Sequence, residues 1–291
     1  MIASMPHARL RAPLLIGVVM CLTRTIVSGA QAVLLQIRPR VGDTLHLRLD
    51  QQTELIGKRR PGAREPTTSV TTTMRVYSRA IVEKSVPTAT YVRAVTDSVR
   101  LTSTDERTLN LADAARRSLE GRAITLRISP DGTVSLADTT TDISRDVADA
   151  VALMPAAFPR GPVEVGYTWN REMPLPVGGR VTASGGSTGG WLHTKFRLDS
   201  LSRHGAIAYV SMRGEMSPDA DAGAGRGTGP VLETGTVSGT MLVDRVRGWL
   251  TESQFTIIAH SIVHVPGTED TVMRFDTRVT QHMKTVEKRP Q

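Results

Sequence analysis

Apolar and polar residues alternate with a period of two along most of this chain, which is the pattern of β-strands with one buried face. Leu45, Leu47 and Leu49 share one face of the first such segment. Val70, Met74 and Val76 form the next, followed by Ile124, Leu126 and Ile128, by Leu192, Phe196 and Leu198, by Trp249, Phe255 and Ile257, and by Met273, Phe275, Val279 and Met283. The pattern predicts a mainly β fold of long antiparallel sheets, with Phe196 and Phe275 facing inward and Arg197 and Arg274 outward.

Two segments have helical spacing instead. From Asp142 to Met154 the apolar residues recur every three or four positions, and Pro155 would end the helix. A shorter helix is expected at Leu111–Leu119, closed by Gly121. Ser129-Pro130-Asp131-Gly132 lies between two alternating segments, and its proline and glycine predict a hairpin turn. Between the later strands, residues 217–230 are so rich in glycine that we expect a mobile loop.

The two halves of the chain share short strings in the same order. Val41-Gly42-Asp43-Thr44 recurs as Val165-Gly166-Tyr167-Thr168, and Tyr91-Val92 recurs as Tyr209-Val210. We therefore expect two related β halves, at 36–137 and 160–285, forming a curved sheet or half-barrel and bridged by one α-helix within the linker 138–159. Coincidence is the alternative, because these strings are short.

The first 32 residues have the features of a secretory signal peptide. Arg9 and Arg11 precede an uncharged apolar run from Ala12 to Leu22, and Ala30 and Ala32 form an A-x-A cleavage pattern. The run is too short to span a bilayer, which needs roughly 20 apolar residues. We expect an exported protein, periplasmic or extracellular.

Cys21 is the only cysteine in the chain and lies at the end of the apolar run. Lipid attachment at this residue is the alternative to cleavage after Ala32, but lipoprotein processing needs a small residue before the cysteine, and Met20 is not small. Cleavage after Ala32 would leave a chain without cysteine, and so without disulfides.

The net charge of +8 does not point to a nucleic-acid partner. The basic residues are almost all arginines scattered along the chain, whereas nucleic-acid binding favours a concentrated basic stripe. Aromatic residues make up only 4% of the chain, which is few for stacking on bases. Weak attraction to an anionic membrane surface remains compatible with this charge.

Two motifs suggest chemistry only on first inspection. Gly185–Gly189 satisfies G-x-S-x-G, but a hydrolase needs that serine on a strand-to-helix turn, and a strand pattern follows here. His260 and His264 have metal-binding spacing only on a helix, and their segment has the pattern of a strand, where four residues span about 13 Å. We expect surface or edge-strand histidines.

The remaining titratable groups suggest no site. The carboxylate pairs Asp105-Glu106, Asp219 with Asp221, and Glu269-Asp270 fall in expected turns, where no burial would shift their pKa. His46, His193, His204 and His282 have no evident partner in the sequence. We therefore expect no catalytic, metal or cofactor-binding residue, no cofactor, and a protein that is not an enzyme.

Several short segments resemble a family of uncharacterised bacterial secreted proteins and lipoproteins, over roughly residues 36–285. They are Gly42-Asp43, Pro130-Asp131-Gly132, Pro155–Phe158, Pro162–Trp169, Gly239–Asp244 and Gly248. The resemblance implies no activity, cofactor or site residue. At the level of pattern alone, the chain is also distantly similar to half-barrel carriers of lipids or lipoproteins in the bacterial envelope.

Two functions are compatible with these features. The first is a noncatalytic envelope module that binds an apolar or lipid-like ligand on a curved sheet. The second is a structural or partner-binding envelope protein with a filled core. A hydrolase ranks third. An apolar cavity or open apolar face favours the first, and a filled core favours the second.

Overall fold

The computed structural model of the chain describes residues 32–58, 68–137, 158–175, 190–218, 231–264 and 272–286. These ranges contain eleven strands and one helix. In chain order they are β1 (Thr44–Lys58), β2 (Thr68–Val86), β3 (Ala89–Ser103), α1 (Glu106–Leu119), β4 (Ala123–Ile128), β5 (Val134–Leu136), β6 (Thr168–Pro174), β7 (Trp191–Ser202), β8 (Ile207–Ser217), β9 (Val231–Asp244), β10 (Trp249–His264) and β11 (Val272–Val286). The predicted helix at 142–154, the G-x-S-x-G motif and all of the predicted leader except Ala32 lie outside the described residues.

The eleven strands form one antiparallel sheet in the order β5-β4-β3-β2-β1-β11-β10-β9-β8-β7-β6. Strands adjacent in sequence are adjacent in the sheet, except that β5 and β6 form its two opposite edges. The first strand, β1, pairs with the last, β11, and we call this junction the seam. At this seam Leu49 of β1 lies opposite Met283 of β11. The prediction of a mainly β, antiparallel fold is confirmed, and the segments 36–137 and 160–285 contribute to a single continuous sheet.

Directly opposite residues of antiparallel strands project from the same side, so the register assigns every paired residue to one of two faces. One side, which we call the apolar face, includes Leu47 and Leu49 of β1. The other side, the polar face, includes Arg48 and Asp50. Further members of the apolar face are Val76, Val82, Val92, Leu126, Ile128, Leu192, Phe196, Leu198, Val210, Met212, Val237, Met241, Ile257, Val279 and Met283.

Two non-strand segments complete the hydrophobic core at one end of the sheet. Val33 and Val163 exchange backbone hydrogen bonds of 2.8 and 2.9 Å, which joins the segment before β1 to the segment before β6. Leu35 and Phe158 from these segments are almost fully buried, in the same cluster as Phe196 and other apolar-face residues. The core is therefore densest where these segments meet the sheet.

Helix α1 begins earlier than expected. The sequence predicts a helix that begins at Leu111 and places Asp105-Glu106 in an exposed turn. Both predictions are wrong. Asp105 is the N-cap, and its Oδ2 accepts a hydrogen bond of 2.9 Å from the Thr108 amide, which stabilises a first turn beginning at Glu106. The predicted end at Leu119 is confirmed.

The turn predicted at Ser129–Gly132 is confirmed between β4 and β5, where the Ser129 amide donates to the Thr133 carbonyl at 2.8 Å.

The loop expected at 217–230 does not begin at Ser217, so the predicted first residue of the loop is wrong. Ser217 is the last residue of β8 because its backbone pairs with Trp191 of β7. Residues 219–230 lie outside the described part of the chain.

Candidate functional site

The apolar face carries almost no charge. Among the paired strand residues that the structure describes, Arg171 of the edge strand β6 is the only charged member of this face. The alternation is interrupted at register shifts at Glu83, Asp97, Asp199 and Glu233, where the extra residue has no directly opposite partner. The charged side chains that the structure describes in β1, β10 and β11 project from the polar face.

The apolar face is fully buried on the strands β7, β8 and β9, and we call this part of it the closed flank. Phe196 and Leu198 of β7 are 0% exposed, and Met212 of β8 and Met241 of β9 are 3% exposed. This closed flank packs with Phe158 and the other non-strand core residues. It is a filled core and offers no surface for a ligand.

The centre of the apolar face is only half-buried. Its large apolar residues come from β1, β2, β10 and β11 and lie on either side of the seam between the first and last strands. We call them the central patch; they are Leu47, Leu49, Leu55, Val70, Met74, Val76, Phe255, Ile257, Val263, Met273, Phe275, Val279 and Met283, and each retains partial exposure.

Glycines on neighbouring strands make room for the two phenylalanines of the central patch. A Cβ on Gly239 would approach Phe255 Cδ1 to 2.3 Å, and a Cβ on Gly57 would approach Phe275 Cε1 to 3.3 Å. Each glycine lies directly opposite the phenylalanine it accommodates. Each ring therefore packs over the backbone of the glycine on the neighbouring strand.

Gln51 and Gln281 lie directly opposite each other in the middle of the central patch. Gln51 Nε2 donates to Thr53 Oγ1 at 3.3 Å. Together with Thr53 and Thr277 on the same face, these amides supply uncharged hydrogen-bonding groups among the apolar side chains. A molecule lying on the patch could therefore bury hydrocarbon and also satisfy one polar, uncharged group.

The polar face is organised by charge pairs between strands. Asp50 accepts hydrogen bonds from Arg75 Nε at 2.5 Å and from Arg48 Nε at 2.6 Å. Burial of Asp50 would raise the pKa of its carboxyl group, but the hydrogen bonds and charges of Arg75 and Arg48 outweigh burial and lower it. The same contact raises the pKa of Arg75.

The histidines lie mostly on the polar face. His260 Nδ1 is 2.7 Å from Asp276 Oδ1, and His282 Nε2 is 2.7 Å from Glu252 Oε1. His193 Nδ1 is 3.3 Å from Glu172 Oε1. The expectation that His193 and His282 lack partners is therefore wrong, because their partners come from adjacent strands and are distant in sequence. His260 and His264 are on a strand, as predicted, but β10 is an internal strand and not an edge.

No group of three or more metal-ligating side chains occurs among the residues that the structure describes. The described part of the chain also contains no helix long and apolar enough to cross a membrane. Neither the isolated charge of Arg171 nor the contacts of His193 could be predicted from the sequence, since both depend on strand pairing.

A groove of about 550 Å³ opens over the strands β6 to β9. Its lining includes Glu172, His193, Lys195, Arg213 and Glu215, all on the polar face. A second cavity, of about 450 Å³, lies between α1 and the strands β2 and β3 and contains Arg75, Arg100 and Arg116. The first groove lies over β6 to β9, away from the seam, and the second is lined mainly by polar and charged side chains, so neither continues the central patch.

No known family matches the chain, and no curated protein matches it. Among solved structures, the chain is similar to lipovitellin, from a study of lipid–protein interactions, with a TM-score of 0.44 and 8% identity over 87% of this chain. The chain spans only 26% of that lipovitellin chain.

Two further solved structures have lower TM-scores. DynF from the dynemicin biosynthesis pathway of Micromonospora chersina has a TM-score of 0.22 and 9% identity, covering 90% of this chain and 88% of DynF. An outer membrane channel from Pseudomonas putida F1 has a TM-score of 0.21 and 8% identity, covering 85% of this chain and 96% of the channel. At these scores and identities the likenesses carry no argument about what this chain binds.

Proposed function

We propose that this protein is a binding module that holds an apolar, lipid-like ligand on the central patch. The observation that carries the proposal is the contrast within one face: the closed flank is fully buried, whereas the central patch is uncharged, apolar and half-buried. A ligand covering the patch would remove this apolar area from water, which stabilises the complex by about 25 cal/mol per Å².

The chemistry of the central patch favours a lipid over a protein partner. The buried centres of protein interfaces are enriched in Tyr, Trp and Arg, and the patch contains none of these residues. Its two phenylalanines lie low over glycines, and the rest are methionines and branched aliphatic residues. Methionine side chains are flexible and polarisable, so they adapt to acyl chains of different shape.

The glutamines at the middle of the patch narrow the ligand class. Gln51 and Gln281 could bind an ester, amide or hydroxyl group, whereas an isolated charge on the ligand would have no counter-ion on this part of the face. We therefore propose an uncharged or weakly polar amphiphile whose hydrocarbon covers the strands on both sides of the seam.

The second candidate is a structural or partner-binding envelope protein that acts without a ligand. The closed flank favours it, because Phe196 and Leu198 are packed as a core. Both candidates assume the export predicted from the first 32 residues. They differ in whether the central patch is occupied.

Lipid analysis of the purified protein tests the proposal. We expect an organic extract of protein purified without detergent to contain about one lipid per chain by mass spectrometry. Met74→Glu would place a charge within the patch and should remove the lipid. Thr73→Glu puts the same charge on the neighbouring residue of the polar face and should retain it. A folded wild-type protein without lipid would support the second candidate.

A further inference from the structure

Glu172, His193 and Ser217 are linked by side-chain contacts on the polar face, near the β6 edge of the sheet. His193 Nδ1 of β7 is 3.3 Å from Glu172 Oε1 of β6, and His193 Nε2 is 3.3 Å from Ser217 Oγ of β8. One ring nitrogen therefore meets a carboxylate and the other meets a hydroxyl. This is the connectivity that hydrolases use to activate a serine, with the carboxylate fixing the tautomer of the histidine.

This arrangement is unusual within the described part of the polar face. His260 and His282 also pair with carboxylates, at 2.7 Å, but His193 is the one described histidine that also contacts a serine hydroxyl. The three residues belong to three adjacent strands, with Glu172 directly opposite His193. Their positions are fixed by the backbone ladder and do not depend on a flexible loop.

Ser217 lies beside a groove, to which it is connected through His193, and next to an exposed aromatic ring. The groove of about 550 Å³ contains Glu172 and His193, so both are accessible from solvent. Trp191, directly opposite Ser217, is 43% exposed and offers an apolar surface beside the hydroxyl. Lys195 and Arg213 lie directly opposite each other in the same groove, and two adjacent cations favour an anion between them.

We propose that Ser217, His193 and Glu172 form a hydrolytic site for carboxylic esters that carry an anionic group. Ser217 Oγ attacks the ester carbonyl carbon while His193 Nε2 takes the hydroxyl proton, and Glu172 stabilises the imidazolium. The tetrahedral intermediate collapses, the C–O bond to the alcohol breaks, and His193 returns the proton to the leaving alcohol. Water, deprotonated by His193, then hydrolyses the acyl-serine to release the acid.

This site lies on the opposite face from the central patch and does not depend on the ligand proposed there. Lys195 and Arg213 would hold the anionic group of the substrate. Because His193 and Glu172 are at least half exposed, water screens their interaction, and we expect a modest rate.

The test uses the purified full-length chain with two chromogenic esters, p-nitrophenyl acetate and the anionic mono-(4-nitrophenyl) succinate. We expect hydrolysis of both, with higher kcat/KM for the succinate. Ser217→Ala and His193→Ala should each lower kcat/KM by about 10²-fold. The matched controls Ser211→Ala, on the same strand and face, and His260→Ala should leave the rate unchanged.

A fluorophosphonate probe provides an independent readout, since it should label the wild-type protein at the peptide containing Ser217 and leave Ser217→Ala unlabelled. Wild-type hydrolysis no faster than buffer would overturn the proposal. Equal rates for Ser217→Ala and the wild type would also overturn it, because imidazole alone can cleave activated esters. Circular dichroism of each variant identifies any loss of fold.

Discussion

Gly42 and Gly166 occupy the same turn at the beginning of two different strands, β1 and β6. Their φ angles are +90° and +93°. The Gly42 amide donates to the Val82 carbonyl at 2.9 Å, and the Gly166 amide donates to the Leu198 carbonyl at 2.7 Å. In both halves the residue that accepts this hydrogen bond is followed by a β-bulge, after Val82 in β2 and after Leu198 in β7. This matched geometry supports the expected duplication, which remains a prediction until the halves are superposed.

The first prediction concerns these two turns. Gly42→Ala and Gly166→Ala should each lower the free energy of unfolding by about 1–2 kcal/mol, because an L-residue is strained at positive φ. An added Cβ meets nothing within 4 Å at either position, so backbone strain alone would lower the free energy of unfolding. Gly161→Ala, which is equally open but lacks a positive φ, is the control and should be near neutral in urea unfolding. Unequal losses at Gly42 and Gly166 would argue against equivalent turns.

The second prediction compares the closed flank with the central patch. Phe196→Ala should cost about 3–5 kcal/mol, because Phe196 is fully buried. Phe275→Ala should cost less than half as much, since Phe275 is on the apolar face but half-buried. Urea unfolding of both variants measures the difference. Equal large losses would mean that the patch is as closed as the flank.

The third prediction concerns acid stability. Asp50 has a lower pKa in the folded protein than its ordinary value, so its contribution is fully present above the ordinary aspartate pKa of about 3.9. The contribution is lost as the pH falls through the folded pKa. Asp50→Asn should therefore destabilise the protein at pH 6 and approach the wild type as the pH is lowered below about 3.9. A difference in unfolding free energy that does not change with pH would contradict this assignment.

The proline and glycine of Ser129–Gly132 were sufficient to predict a turn there. The period-two pattern predicted the strands β1, β2, β4, β7, β10 and β11 and, except at Trp249, their apolar faces, because these features depend on neighbouring residues. It could not predict that β1 pairs with β11, since that contact joins residues far apart in sequence. This pairing brings together the strands that carry the central patch. The partners of His193 were missed for the same reason, and the start of α1 was missed because an N-cap aspartate resembles a turn aspartate.

The central claim is that the apolar face, and not the polar face, binds a lipid-like ligand at the seam. Val279 and Thr280 test it most directly, because they are neighbours in β11 that project from opposite faces. We expect the fluorescent apolar probe N-phenyl-1-naphthylamine to bind the delipidated protein with a saturable increase in emission. Val279→Glu should abolish that increase, and Thr280→Glu should leave it intact. Equal binding by the two variants, or no saturable binding by the delipidated wild type, would contradict the account.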